Sequence, residues 1–193
     1  MNINHKFGRQ RRQAGFTLIE LIIALAVMGA AIGGMLYYQS RAEASQKTND
    51  SVTALTTMVS SIKTNYGPSN SYAQVTIANL VSGGMAVEPF KVSGSTIVDP
   101  WNNTILAEGD ATKFAFRIGP VTRENCVTLA NGLVRNALIV NVGNVTAITG
   151  GTLTGGGVYK ASASATPDAA ILNGATGCGI ASDATRYVAA VFR

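Results

Sequence analysis

The sequence predicts an α+β fold, a long N-terminal helix packed on an antiparallel sheet. Three observations predict it. Residues 16–38 form an apolar run whose one charged residue is Glu20. Behind it, Val52, Leu55, Val59, Ile62 and Tyr66 recur three and four residues apart, the stripe of an amphipathic helix. Beyond Gly67-Pro68, a glycine-then-proline stop, short β-rich runs are punctuated by Pro89, Asp99-Pro100 and Gly109-Asp110.

The first element is a basic segment. Residues 1–15 carry Lys6, Arg9, Arg11 and Arg12 and no acid. The chain of 193 residues has a net charge of +5, and without this segment eleven basic residues face ten acidic ones. The positive charge therefore belongs to the N-terminus. Nucleic-acid binding needs a basic face on the folded part, so none is expected. Hydrophobic residues make up 47% and charged residues 13%, and the mean hydropathy is +0.22.

Residues 16–38 would reach about 34 Å as a helix, enough to cross a hydrocarbon core of about 30 Å. Few charges follow, since Arg41 and Glu43 cancel. The basic flank places residues 1–15 in the cytoplasm and the C-terminal part outside. A secretory signal would end at a site such as Ala42-Glu43-Ala44, but this apolar run is too long and contains an acid. A plain membrane anchor fits the length and leaves Glu20 without a role, although a carboxylate in a spanning helix is costly and marks function by default. Gly29, Ala30, Ala31, Gly33 and Gly34 permit close helix approach, with Gly29 and Gly33 spaced as G-x-x-x-G.

The helix is expected to continue to Tyr66, about 77 Å in all. Residues 67–193 then suffice for one globular head. A second helix is expected over 72–80. Strands are expected at 95–98, 104–107, 113–118, 138–142, 157–160 and 187–192, with 114–118 alternating so that one face is buried. Residues 122–131 read as a helix capped by Thr122 and ended by Gly132, and 168–173 as a shorter one ending at Gly174. The glycine-rich run 150–157 lacks the G-K-[ST] ending of a phosphate loop and reads as a flexible surface loop.

No enzyme signature emerges. The single histidine, His5, lies in the basic segment, so the head has no Ser-His-Asp or Cys-His arrangement. No catalytic residue, metal site or cofactor is expected. Glu108 and Asp110 form one close acidic pair, read as a solvated turn. Cys126 and Cys178 lack C-x-x-C spacing. They are either two buried thiols or one disulfide, which an oxidising compartment favours.

The order of basic leader, Gly15-Phe16-Thr17-Leu18-Ile19-Glu20 and apolar helix resembles the processing motif of type IV pilins. The resemblance implies cleavage after Gly15 by a prepilin peptidase, methylation of the new N-terminus at Phe16, and a role for Glu20 in assembly. Cleavage creates a charged amine. Glu20 of one subunit would pair with the Phe16 amine of its neighbour and fix the axial stagger, as a buried polar residue fixes a coiled-coil register. The match is tight over residues 9–35. The head matches by layout only. The 15-residue leader, the cysteine positions and Tyr37, where type IVa pilins carry proline, look like the type IVb group of toxin-coregulated and thin pili. Phe16 departs from that group. The resemblance implies a Cys126–Cys178 disulfide around a C-terminal surface region and three segments: a leader (1–15), a stalk helix (16–66, with 16–38 the transmembrane and assembly half) and a head (67–193). It also implies a homo-oligomeric helical filament built by a pilus assembly machinery. The subunit would sit in the inner membrane of a Gram-negative bacterium before assembly and in an extracellular pilus afterwards, serving adhesion, aggregation or conjugative contact. The alternatives are a minor pilin or a type II secretion pseudopilin, and a bitopic periplasmic protein.

Overall fold

The computed structural model describes residues 17–193. The expected leader and the Gly15-Phe16 junction lie outside these residues. Helix α1 runs Leu18–Tyr66 and gives way to a 3₁₀ turn at Gly67–Ser69, where the glycine-proline stop was expected. The chain divides into two compact units, the first ending at Ala42 and the second running Glu43–Arg193.

In the first unit α1 is exposed all round, and its thirteen large apolar side chains between Leu18 and Tyr38 are each at least 55% exposed. In the second unit α1 buries Thr48, Ser51, Ala54, Leu55, Met58, Val59 and Ile62. That face is wider than the expected stripe, and Val52 and Tyr66 form its half-buried rim.

The buried face of α1 shares one core with a five-stranded antiparallel sheet of order β3-β4-β7-β5-β6. Its strands are β3 (Leu106–Gly109), β4 (Phe114–Ile118), β5 (Ile139–Thr149), β6 (Thr152–Lys160) and β7 (Tyr187–Phe192). The last strand is central, in register Phe114↔Phe192 with β4 and Ile139↔Val191 with β5. Phe114, Phe116 and Phe192 pack with ring centroids 5.6–6.3 Å apart. A separate hairpin pairs β1 (Lys91–Ser93) with β2 (Thr96–Val98).

Several boundaries moved for identifiable reasons. Helix α2 is Ile77–Ser82, with Thr76 accepting from the Asn79 amide as its cap. Residues 73–74 form a turn and Thr76 a bridge to Glu108, and Tyr72 packs on Phe114 at 5.0 Å. The strand expected at 104–107 lies two residues later, because Thr104 pairs with Val98 instead. Strand β1 was not anticipated. All three of its residues are exposed, so no burial pattern marks it. Helix α3 runs Arg123–Leu133, straight through Gly132. A Cβ on Gly132 would lie 2.6 Å from Val52, so this glycine is a contact point between α3 and α1 and not a stop. The end of α3 is closed by Lys160, whose ammonium donates to the Val134 and Ala137 carbonyls at 2.7 and 2.8 Å. Helix α4 (Ala169–Asn173) begins at Asp168, which accepts from the Ala170 and Ile171 amides.

The run 150–157 is not a free loop. Strand β5 pairs with β7 only over Ile139–Gly143. Beyond that level the β5–β6 hairpin continues alone, with register shifts after Val142 and Val145 and positive φ at Gly143 (+92°) and Gly155 (+80°). The hairpin folds back over the outer face of the sheet. Arg117 on β4 donates to the Val145 and Thr146 carbonyls at 3.0 and 2.7 Å. Ile148 joins Ala115 and Val191 in a small second cluster. At the tip, Lys113 donates to the Thr152 hydroxyl at 3.3 Å. Strand β4 is consequently buried on both faces, not on one.

Candidate functional site

The residues expected to matter for assembly sit at the start of α1. Gly15 and Phe16 lie outside the described residues. Glu20 is in the first turn, where an acid complements the helix dipole. Its carboxylate accepts from the Thr17 amide at 2.9 Å and the Thr17 hydroxyl at 3.0 Å. The Glu20 amide donates back to the Thr17 hydroxyl at 3.4 Å. This is a reciprocal capping box. The Thr-x-x-Glu spacing before an apolar run is its sequence signature. Thr17 is thus a partner of Glu20 that the motif alone did not reveal. Only one carboxylate oxygen, Oε2, is engaged.

Further along, apart from the adjacent backbone of α1 itself, nothing among the described residues lies within 4 Å of where a Cβ on Gly29, Gly33 or Gly34 would point. The packing of this chain by itself gives these glycines no reason to be small. The helix also contains a stretch long and apolar enough to cross a membrane. On its polar flank Glu43 and Lys47 pair at 2.7 Å, and that ammonium holds the Glu43 carboxyl below its usual range.

Cys126 on α3 and Cys178 form a disulfide with Cα atoms 5.7 Å apart, and both residues are fully buried. The bond joins positions 52 apart in the chain, a closure that stabilises by about 2–4 kcal/mol. The enclosed region is not only surface loop, because it contains β5, β6 and α4. The Cys178 amide donates to the Leu172 carbonyl at 2.9 Å, which ties the bond to α4.

The one buried acid among the described residues, Asp99, organises a third region. It accepts from the Trp101 and Asn103 amides at 3.0 and 2.8 Å. Burial pushes its carboxyl above the usual range, against the lowering effect of the hydrogen bonds. No group of three His, Cys, Asp or Glu side chains placed to hold a metal ion occurs among the described residues.

Residues 10–36 match the prokaryotic N-terminal methylation motif. Over 197 aligned residues the chain is 27% identical to the toxin coregulated pilin of Vibrio cholerae serotype O1, covering 89% of this chain and 84% of that protein. The crystal structure of TcpA, a type IV pilin from the Vibrio cholerae El Tor biotype, is similar over 77% of this chain and 99% of that one, with a TM-score of 0.49 and 19% identity.

Proposed function

We propose that the chain is a type IVb-like pilin with a filament-forming role, a reading supported by its methylation motif and its similarity along most of its length to a toxin coregulated pilin. It is a structural protein and not an enzyme. In this reading a prepilin peptidase cuts after Gly15 and methylates Phe16 while the helix lies in the inner membrane. An assembly machinery then moves the subunit into an extracellular helical filament of identical copies, used for adhesion, aggregation or conjugative contact.

One observation carries the proposal. Glu20 is the sole acid in a helical stretch whose large apolar side chains, from Leu18 to Tyr38, are all at least 55% exposed. Such a surface is stable in lipid or against other copies of itself. Moving from lipid into a helix bundle changes little for the apolar side chains but much for a charge, which needs a partner at low dielectric. The free Phe16 amine of a neighbouring copy supplies one. Gly29, Gly33 and Gly34 favour the close helix contacts that such a bundle requires.

N-terminal mass spectrometry of sheared surface filaments tests the reading. The expected product begins at methylated Phe16 and dominates the sample. A dominant filament protein beginning at Met1 or Ser45 overturns it. A trace amount of correctly processed chain reassigns it to a minor pilin or pseudopilin.

A further inference from the structure

The loop after β2, the turn before α3 and the 3₁₀ turn at Asp183–Thr185 converge on an open groove of about 310 Å³. Trp101, Asn103, Pro120, Thr122 and Asp183 line it. We propose that this groove binds a neutral saccharide, one pyranose ring against Trp101 with its hydroxyls met by Asp183, Asn103 and Thr122. The groove lies wholly within the sheet-bearing unit, so the inference does not rest on the filament reading.

The polar groups are held in place from behind. Asp183 is 68% exposed, yet its carboxylate pairs with the buried Arg186 guanidinium. Arg186 is itself fixed by donating to the Val121 and Ile180 carbonyls. Asp99 pins the Trp101 and Asn103 amides. The Asn103 side-chain amide donates to the Pro120 carbonyl at 2.9 Å, which sets its orientation and leaves the amide oxygen as an acceptor. Thr122 stands at the N-cap of α3, but its hydroxyl makes no capping bond. A capping residue usually spends its oxygen on the helix, so here the hydroxyl remains available.

The chemistry of the lining selects the ligand class. One half-buried indole supplies a flat apolar surface with a polar edge. Around it stand a hydroxyl, an amide oxygen and a carboxylate, the donor and acceptor set that matches vicinal hydroxyls. The only charged lining residue is an acid, so phosphates, sulfates and carboxylates are disfavoured.

Trp101 is the chain's only tryptophan, so its emission reports on this groove alone. Full-length protein in detergent micelles is titrated with the methyl glycosides of glucose, galactose, mannose and N-acetylglucosamine, and with trilysine as a cationic control. The expected result is a saturable change with at least one glycoside and none with trilysine. Thr122→Val is expected to weaken that binding roughly fivefold, the loss of one hydrogen bond, with an unchanged melting temperature. Flat emission across the four glycosides overturns the proposal. So does a response to trilysine alone, or equal affinity in Thr122→Val and the parent.

Discussion

Val52 on α1 fills the space that a side chain on Gly132 of α3 would need, with its methyl carbons 2.6 and 2.7 Å from the position of that Cβ. The contact is how α3 reaches the long helix. Alanine would favour the helical backbone by about 1 kcal/mol. Overpacking costs about 1–3 kcal/mol, and Val52 is β-branched with little freedom to move in a helix. Gly132→Ala is therefore expected to destabilise the protein by up to about 2 kcal/mol, the balance of the two effects, read as a lower midpoint in urea. Val52→Ala in the same chain should recover most of the loss. Two purely additive losses would show that the groups do not meet.

Thr17 and Glu20 share a capping box, so two roles for Glu20 must be separated. If its task is to cap α1, removing the Thr17 hydroxyl should matter as much as removing the acid. If its task is to meet a neighbour's amine, only the acid matters. The proposed function requires the second. Glu20→Ala is expected to be cleaved and inserted normally but to lower filament yield by about a hundredfold or more, a loss on the scale of a broken buried ion pair. Thr17→Val, costing about 1 kcal/mol of cap, should leave yield within about twofold of the parent. Equal loss in both variants, measured in sheared fractions, would assign Glu20 to the cap.

The folded-back hairpin depends on one side chain in particular. Arg117 donates to two carbonyls where β5 is bulged, and its guanidinium also sits 4.5 Å from the Tyr187 ring centroid. These carbonyls lie past the end of β7, so the sheet cannot satisfy them through that strand. Arg117→Ala is expected to cost about 1–3 kcal/mol and to speed hydrogen exchange at residues 144–155 more than at 139–143. Lysine should rescue only in part, because it lacks the planar fork. Uniform exchange along β5 would mean that the hairpin is held by its apolar contacts alone.

The elements written in local pattern were legible. The Gly67-Pro68 stop and the line of the α1 stripe, though not its width, are visible in the sequence, and β7 has the bounds expected because Tyr187 to Phe192 is a continuous apolar run. The elements that depend on distant neighbours were not. Gly132 looks like a stop until Val52 is seen beside it. The glycines of β6 look like a loop, but Gly157 is small because Ile171 and Thr176 press on it. The second face of β4 looks open in the sequence because only the returning hairpin covers it. Glu20 stood out as a lone charge, whereas the groove residues Trp101, Thr122 and Asp183 meet only after folding.

Asp99 makes the stability of the Trp101 loop depend on pH in a direction opposite to that of most acids. Its folded carboxyl lies above the ordinary 3.8, with burial the largest cause. The folded state therefore binds the proton more tightly than the unfolded chain. By linkage, stability from this group is greatest below pH 3.8 and falls as pH rises through the raised value. Above that window the ionised carboxylate carries a standing desolvation cost, partly offset by the Trp101 and Asn103 amides. Asp99→Asn keeps an acceptor for those amides and removes the titration. The parent should thus gain in melting temperature on Asp99→Asn as pH falls, the other acids cancelling in the comparison. A parent that instead loses melting temperature relative to Asp99→Asn on acidification would mean the hydrogen bonds outweigh burial and hold the folded carboxyl below 3.8.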